Sequence, residues 1–232
     1  MVHVWTADLD EVADPAFAAL AAVLDPDEAA RAGRFHFERD RRHFTAARGW
    51  LRRLLGLYLD VPPGSTRFGY GPRGKPFLTA PETSLRFNLS HSHGRAMFAF
   101  ARNREIGIDL EAGARLGDDW PGLARRVFSE RERAELAALP DETRRDGFLN
   151  GWTRKEAYLK ATGLGIVDGL QSIEVTLGPH QPAALLAAPA GLAWTLHDLR
   201  TEPVFAAALV VGGSTSPVIQ RRQCATLLLE AC

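Results

Sequence analysis

The sequence predicts an α+β fold, and three observations carry that expectation. Amphipathic helical stretches are followed by short apolar or alternating runs, and the order helices then strands occurs twice. The composition is that of a globular protein, with 46% hydrophobic and 24% charged residues. A length of 232 residues suits one large domain or two small halves, either with a real core. No long or low-complexity linker separates the halves, so close packing is expected. The expected division is 1–104, 105–212 and a C-terminal tail, 213–232, which reads as loosely ordered after Gly212-Gly213.

Val2 to Ala7 reads as a strand because Val, Trp and Thr favour a pleated, half-buried surface. Asp14-Pro15 and Asp25-Pro26 are helix starts, with an acceptor before a proline at the first turn. Asp40 to Leu59 carries Phe44, Ala47, Leu51, Leu54, Leu55 and Tyr58 at helical spacing and predicts a long helix with one apolar face. Pro62-Pro63-Gly64 ends it. Phe68 to Gly74, rich in Gly and Pro, reads as loop. Leu85 to Leu89 alternates as a strand, and Ala96 to Ala101 and Ile106 to Glu111 are apolar enough for central strands. Ser129 and Glu132 match a capping box and open a helix. Asp141 to Thr162 is helical, with Gly163 as a left-handed stop. Ser172 to Leu177, Leu192 to Leu199 and Val204 to Val211 read as strands.

Several function classes are disfavoured. No apolar run approaches the ~20 residues of a membrane span. Met1 to Asp8 lacks the basic and apolar blocks of a signal peptide. The two cysteines, Cys224 and Cys232, form neither a metal spacing nor a disulfide framework, so a cytoplasmic protein is expected. Net charge is +0, from 28 basic and 28 acidic residues, and nominates neither nucleic acid nor membrane. Between Arg31 and Arg53, however, eight arginines face only Glu38 and Asp40. That block is either an anion-facing surface or a solvated helix face.

Four segments carry chemistry. In Ile106-Gly107-Ile108-Asp109-Leu110-Glu111, strand alternation puts Asp109 and Glu111 on one face. Two such carboxylates repel unless a cation lies between them, and Mg²⁺ suits oxygen ligands; the alternative is a strand end with two solvated acids. In Trp152 to Ile166, Glu156 and Lys160 lie four apart on one helix face. They form either a surface ion pair or a third metal oxygen, or base, with a phosphate contact. Asn88-Leu89-Ser90-His91-Ser92-His93 sits where a strand ends and offers Ser and His donors to an anion; without a G-x-S-x-G elbow it does not point to a hydrolase. Arg73-Gly74-Lys75-Pro76 lets backbone approach a ligand between two cations, or is an ordinary basic turn; it is not a Walker A loop.

Together and in this order, RGKP, NLSHS, GIDLE and WTRKEAYLKATGLGI resemble the Sfp-type 4′-phosphopantetheinyl transferases, with DEAARAGRFHFERDRRHFTAARGWLR similar to that family's N-terminal block. The resemblance covers about residues 25 to 177. It implies a pseudo-duplicated α+β monomer of two similar halves, each a small, mostly antiparallel sheet packed on helices, with coenzyme A in the cleft between them. It implies transfer of the phosphopantetheine arm of coenzyme A to a serine of an apo acyl or peptidyl carrier protein, in fatty-acid, polyketide or nonribosomal-peptide synthesis. The metal implied is Mg²⁺, or Mn²⁺ in its place, held by Asp109, Glu111 and Glu156. Glu156 would also take the serine proton, and Lys160 would stabilise the leaving pyrophosphate charge, with Lys155 a further candidate for that contact. Arg73, Gly74, Lys75 and Pro76 would lie along the adenosine. Ser90, His91 and Arg31 would clamp the 3′-phosphate. Glu28 departs from relatives with a cation there, the register of Phe44-Thr45 is open, and His93 has no assigned role. The competing readings are a coenzyme A pyrophosphatase, with water as acceptor, and a non-catalytic binder of coenzyme A or a carrier domain.

Overall fold

A computed structural model describes residues 1–164, 169–189, 191–200, 204–225 and 227. Chain order shows one pattern twice. Strand β1 (Val2–Asp8) is followed by helices α1 (Asp14–Ala21), α2 (Pro26–Ala32) and α3 (Glu38–Leu59), then β2 (Arg67–Tyr70), β3 (Pro76–Ala80), β4 (Leu85–Ser92) and β5 (Arg95–Arg102). Strand β6 (Ile106–Ala112) is followed by α4 (Trp120–Val127), α5 (Glu130–Ala138) and α6 (Asp141–Thr162), then β7 (Glu174–Val175), β8 (Leu185–Ala187), β9 (Trp194–Asp198) and β10 (Phe205–Gly212).

Pairing repeats as well. The order β1-β5-β4 in the first half matches β6-β10-β9 in the second, all antiparallel, and the ribbons β2–β3 and β7–β8 correspond. Both third helices run 22 residues and end at a left-handed residue, Asp60 (φ 54°) and Gly163 (φ 74°). The molecule is therefore an α+β fold of two similar halves.

Period-two burial builds four layers. Trp5, Phe87, Phe98 and Phe100 pack under Trp50, Leu51, Leu54 and Leu55 of α3. The alternate residues Val2, Val4, Met97 and Ala99 meet Ile106, Ile108, Leu110, Ala207 and Leu209 in a second core between the sheets. Ala208 and Val210 turn the other way, onto Ala157, Tyr158 and Ala161 of α6. The layers are helix, sheet, sheet, helix. With Ile106, Ile108 and Leu110 committed to the inter-sheet core, Gly107, Asp109 and Glu111 face α6.

Three expectations are corrected. Phe68 to Gly74 is not all loop: Arg67–Tyr70 is strand β2, paired with β3, and RGKP follows as their turn. Ser172 to Leu177 keeps only two strand residues, Glu174–Val175. The tail is not loose within 219–223: Ile219–Gln223 forms β11, parallel to β1, with Cys224 fully buried beyond it. Helix α4 went unread in the sequence because Gly117 to Gly122 is broken by glycine and proline. Residues 226 and 228–232 of the tail, and Gly165-Ile166 of the last motif, lie outside the described residues.

Candidate functional site

The site lies where the halves meet, and absent side-chain bulk creates it. A Cβ on Gly107 would stand 2.1 Å from the Ala157 carbonyl oxygen and 2.2 Å from the Ala161 nitrogen. Only glycine lets α6 cross β6 so closely. That crossing sets Glu156 and Lys160, the neighbours of these alanines, beside Asp109.

Strands β4 and β6 run side by side without a backbone ladder, joined instead by side chains. Asn88, Ser90 and Ser92 alternate onto one face of β4. Asn88 Oδ1 accepts from Ile108 N (2.9 Å), and Ser92 Oγ accepts from Ala112 N (3.1 Å) while donating to Glu111 Oε2 (3.0 Å). Ser90 Oγ donates to Asp109 Oδ1 (3.0 Å) and accepts from Lys160 Nζ (2.9 Å). Lys160 Nζ also reaches Asp109 Oδ1 at 2.7 Å, so its ion pair is with Asp109 on β6.

The electrostatics are those of carboxylates short of cations. Burial first, then repulsion from Asp109 and Glu111, lifts the Glu156 carboxyl to about 7, against the pull of Lys160. Burial and Asp109 also raise Glu111, offset by hydrogen bonds from Ser92 and Trp152. Asp109 Oδ2 and Glu156 Oε1 are buried with no hydrogen-bond partner. Unpaired buried carboxylate oxygens are costly, and a cation among them supplies what is missing. Among the described residues no three acidic, His or Cys side chains already form a metal cluster, so an ion would have to draw Asp109, Glu111 and Glu156 together.

A cavity of about 230 Å³ adjoins them, lined by Arg73, Gly74, Lys75, Pro76, Asn88, Leu89, Glu156, Leu159, Lys160 and Gly163. The RGKP turn therefore shares one wall system with Glu156 and Lys160. Gly74 takes φ 81°, and a Cβ there would meet nothing within 4 Å, so the turn's backbone lies open. Lys75 differs from its expected role: its Nζ donates to Glu105 Oε2 (3.0 Å), Ile106 O (3.3 Å) and Ala161 O (2.8 Å). The ammonium clasps the two halves, leaving backbone and stem to line the cavity.

The residues expected to form an anion clamp are split by strand alternation. Ser90 faces β6 and is engaged by Asp109 and Lys160, which corrects its placement with His91. His91 faces the α3 side, lining a second cavity with Asp10, Phe35, His43, Phe44 and His93. Exposed Arg31 holds its guanidinium 5.1 Å over the Phe44 ring at that mouth. His93 is the first of two left-handed residues, with Gly94, in the β4–β5 turn (φ 48° and 75°), which fits a type I′ hairpin.

Lys155 is corrected outright. Its side chain is fully buried, and Nζ donates to Val127 O (2.9 Å), Glu132 Oε2 (2.6 Å) and Leu170 O (2.8 Å). It ties α6 to the α4–α5 corner and cannot reach a ligand in the cleft. Glu28 is likewise withdrawn from the ligand, at 5% exposure, by Arg48 and Arg52. The stitching residues Asn88 and Ser92 were missed as site residues, although their period-two polar spacing was present in the sequence.

Comparison with known proteins bears on this arrangement. Residues 105–210 match the 4′-phosphopantetheinyl transferase superfamily, and residues 11–102 match the family described as 4′-phosphopantetheinyl transferase, N-terminal. The 4′-phosphopantetheinyl transferase HetI of Nostoc sp. is 48% identical over 214 residues, covering 91% of this chain and 88% of its own length. The chain belongs to the 4′-phosphopantetheinyl transferase family. A putative 4′-phosphopantetheinyl transferase of Synechocystis sp. is 37% identical, over 74% of this chain and 68% of its own. A solved holo-(acyl-carrier-protein) synthase of Bacillus anthracis, in complex with CoA (3′,5′-ADP), overlays 48% of this chain and 96% of its own, at TM-score 0.42 and 26% identity. In this transferase the N-terminal match stops at 102 and the superfamily match begins at 105, next to the link between β5 and β6.

Proposed function

We propose that this transferase moves the 4′-phosphopantetheine group of coenzyme A to a serine of an apo acyl or peptidyl carrier protein, giving holo carrier protein and adenosine 3′,5′-bisphosphate. The observation that carries the reading is the shared cavity, where the RGKP turn meets Glu156 and Lys160 beside two unpartnered carboxylate oxygens. Membership of the 4′-phosphopantetheinyl transferase family favours a carrier serine over water as acceptor. The reading extends to a monomer working in the cytoplasm, divided into halves at 104/105. Among the described residues no helix is long and apolar enough to cross a membrane.

The donor set fits Mg²⁺, with Mn²⁺ in its place: three oxygen-bearing side chains, Asp109, Glu111 and Glu156, two with an oxygen lacking a partner. When bound, that ion would neutralise pyrophosphate charge and polarise the phosphoryl oxygens. The chain's own residues do the rest. Glu156, buried beside Asp109 and Lys160 with one oxygen lacking a hydrogen-bond partner, is placed to accept the serine proton. The serine oxygen then bonds to the phosphorus that bears the pantetheine arm, and the bond from that phosphorus to the leaving adenosine bisphosphate breaks. Lys160, at the cavity wall, steadies the charge that develops on the leaving phosphate. Arg73, Gly74 and Pro76 align the adenosine, and Arg31 with His91 holds the 3′-phosphate far from the reacting bond, so that remote binding serves positioning.

Intact-protein mass spectrometry tests this directly. With coenzyme A, Mg²⁺ and a panel of apo carriers, a carrier should gain one phosphopantetheine and lose that gain with EDTA. Glu156→Gln should slow transfer by roughly 10²–10⁴-fold, the range for a general base, and Asp109→Ala should abolish it with the fold intact. Full activity in either variant overturns the assignment. Coenzyme A consumed with no carrier gain would point to a pyrophosphatase, and binding without turnover to a binding protein.

A further inference from the structure

Two helices of the first half meet through a row of charges of which the mechanism uses only Arg31. Asp25 caps α2, and Glu28 completes the capping box: Glu28 N donates to Asp25 Oδ1 (2.9 Å) and Asp25 N to Glu28 Oε2 (3.2 Å). Glu28 is nearly sealed from solvent, yet it holds two arginines of α3. Arg48 Nε donates to its Oε1 at 2.6 Å, and Arg52 Nε donates to its Oε2. Arg52, fully buried, also pairs with Asp25 and donates to the Thr66 carbonyl (3.2 Å). Phe44, Arg48 and Arg52 fall four residues apart, on one stripe of α3. Against them, in reverse order, lie Arg31, Glu28 and Asp25 of α2. Arg31, one turn beyond Glu28, ends the row over the Phe44 ring, beside the cavity that holds His91.

We propose that Glu28 is a positioning residue for 3′-phosphate recognition, acting through Arg31. Helix α2 has only seven residues, too short to hold its own place in water. The buried carboxylate, forked by two arginines, fixes that helix against α3 and so presents Arg31 to the phosphate from an ordered start. The acidic residue at position 28 therefore does not subtract from the anion site, because its charge is answered within the protein. Removing a partner from such a buried network leaves charges unpaired and loosens the helix that bears Arg31.

The inference rests on the proposed 3′-phosphate clamp, and two donors separate the failure of each. Transfer would be measured with coenzyme A and with its 3′-dephospho form on wild type, Glu28→Gln and Arg31→Ala. Arg31→Ala should raise the KM for coenzyme A about tenfold and so erase most of the preference for the 3′-phosphate. Glu28→Gln should raise the same KM roughly 3- to 10-fold, with kcat and the KM for the dephospho donor near wild type. The double variant should be no worse than Arg31→Ala alone, as expected of residues acting as a unit. If Glu28→Gln does not fold, Arg48→Lys, which keeps the charge and loses the fork on Glu28, should move the preference in the same direction. Equal KM increases for both donors would make Glu28 a general support of the fold and overturn the proposal. An unchanged preference in Arg31→Ala would overturn the clamp itself.

Discussion

Glu156 shows how a residue acquires chemistry from its surroundings. An isolated glutamate four residues before a lysine is an ordinary surface pair. Here α6 buries it to 9% exposure, aims it at Asp109 and Glu111, and leaves Oε1 without a partner. With the carboxyl raised from 4.5 to about 7, the folded protein holds a proton that the unfolded chain releases between those values. Stability of the metal-free protein therefore falls as pH rises through that window and levels off above it, a change of about 3 kcal/mol for one such group. Urea titrations in EDTA at pH 4.5 and pH 8 should show this fall, and Glu156→Gln should flatten it. An equal slope in both proteins would mean that Glu156 does not titrate as its burial requires.

At the scale of elements, the crossing of α6 over β6 decides whether the site exists. Gly107 faces backbone atoms of α6 at distances no side chain tolerates, and Ala157 and Ala161 are the small residues opposite it. Gly107→Ala should push the helix outward and carry Glu156 and Lys160 away from Asp109. The cost is that of overpacking, about 1–3 kcal/mol or more. Transfer should fall well beyond what the unfolded fraction accounts for, read by mass spectrometry beside a denaturant curve. A stable, fully active variant would show that the close approach is dispensable. The β4–β6 seam works alongside it: Asn88 and Ser92 take up β6 amides that would otherwise be bare.

At the scale of the molecule, the repeated topology joins two half-sites of different chemistry. The first half brings the RGKP turn and Ser90; the second brings the carboxylates and Lys160. Lys75 bonds across the join to Ile106 and Ala161, so that one residue of the RGKP turn helps hold the halves together. Strand β11 closes the outer edge of β1, with Val2 N donating to Val218 O (2.8 Å) and Cys224 N to Thr6 O (2.8 Å). Ending the chain after Pro217 should expose that edge, lower the melting temperature and promote association, because a bare edge strand is a template for pairing. Static light scattering and a thermal melt would check this; a monodisperse, equally stable truncation would make β11 an ornament of the fold.

Much of this was legible in the sequence. The long helices, the left-handed stop at Gly163 and the strands β1, β4, β5, β6 and β10 follow from local periodicity and turn chemistry, which act over a few residues. The carboxylate pair of β6 and its shared face were equally plain, since alternation is fixed by the pleat. Local rules could not say which cation meets which anion. Lys155 and Lys160 lie five residues apart on one helix; one is sealed against Glu132, and the other opens onto Asp109. Ser90 and His91 are neighbours in the chain and look in opposite directions. Glu28 read as a charge lost from an anion site, yet Arg48 and Arg52, twenty and more residues away, absorb it. Sequence by itself determined the long helices, the central strands and the inventory of chemical groups. Only the tertiary structure decided their partners, because burial and ion pairing depend on which surfaces the packed sheets and helices bring within a few ångströms.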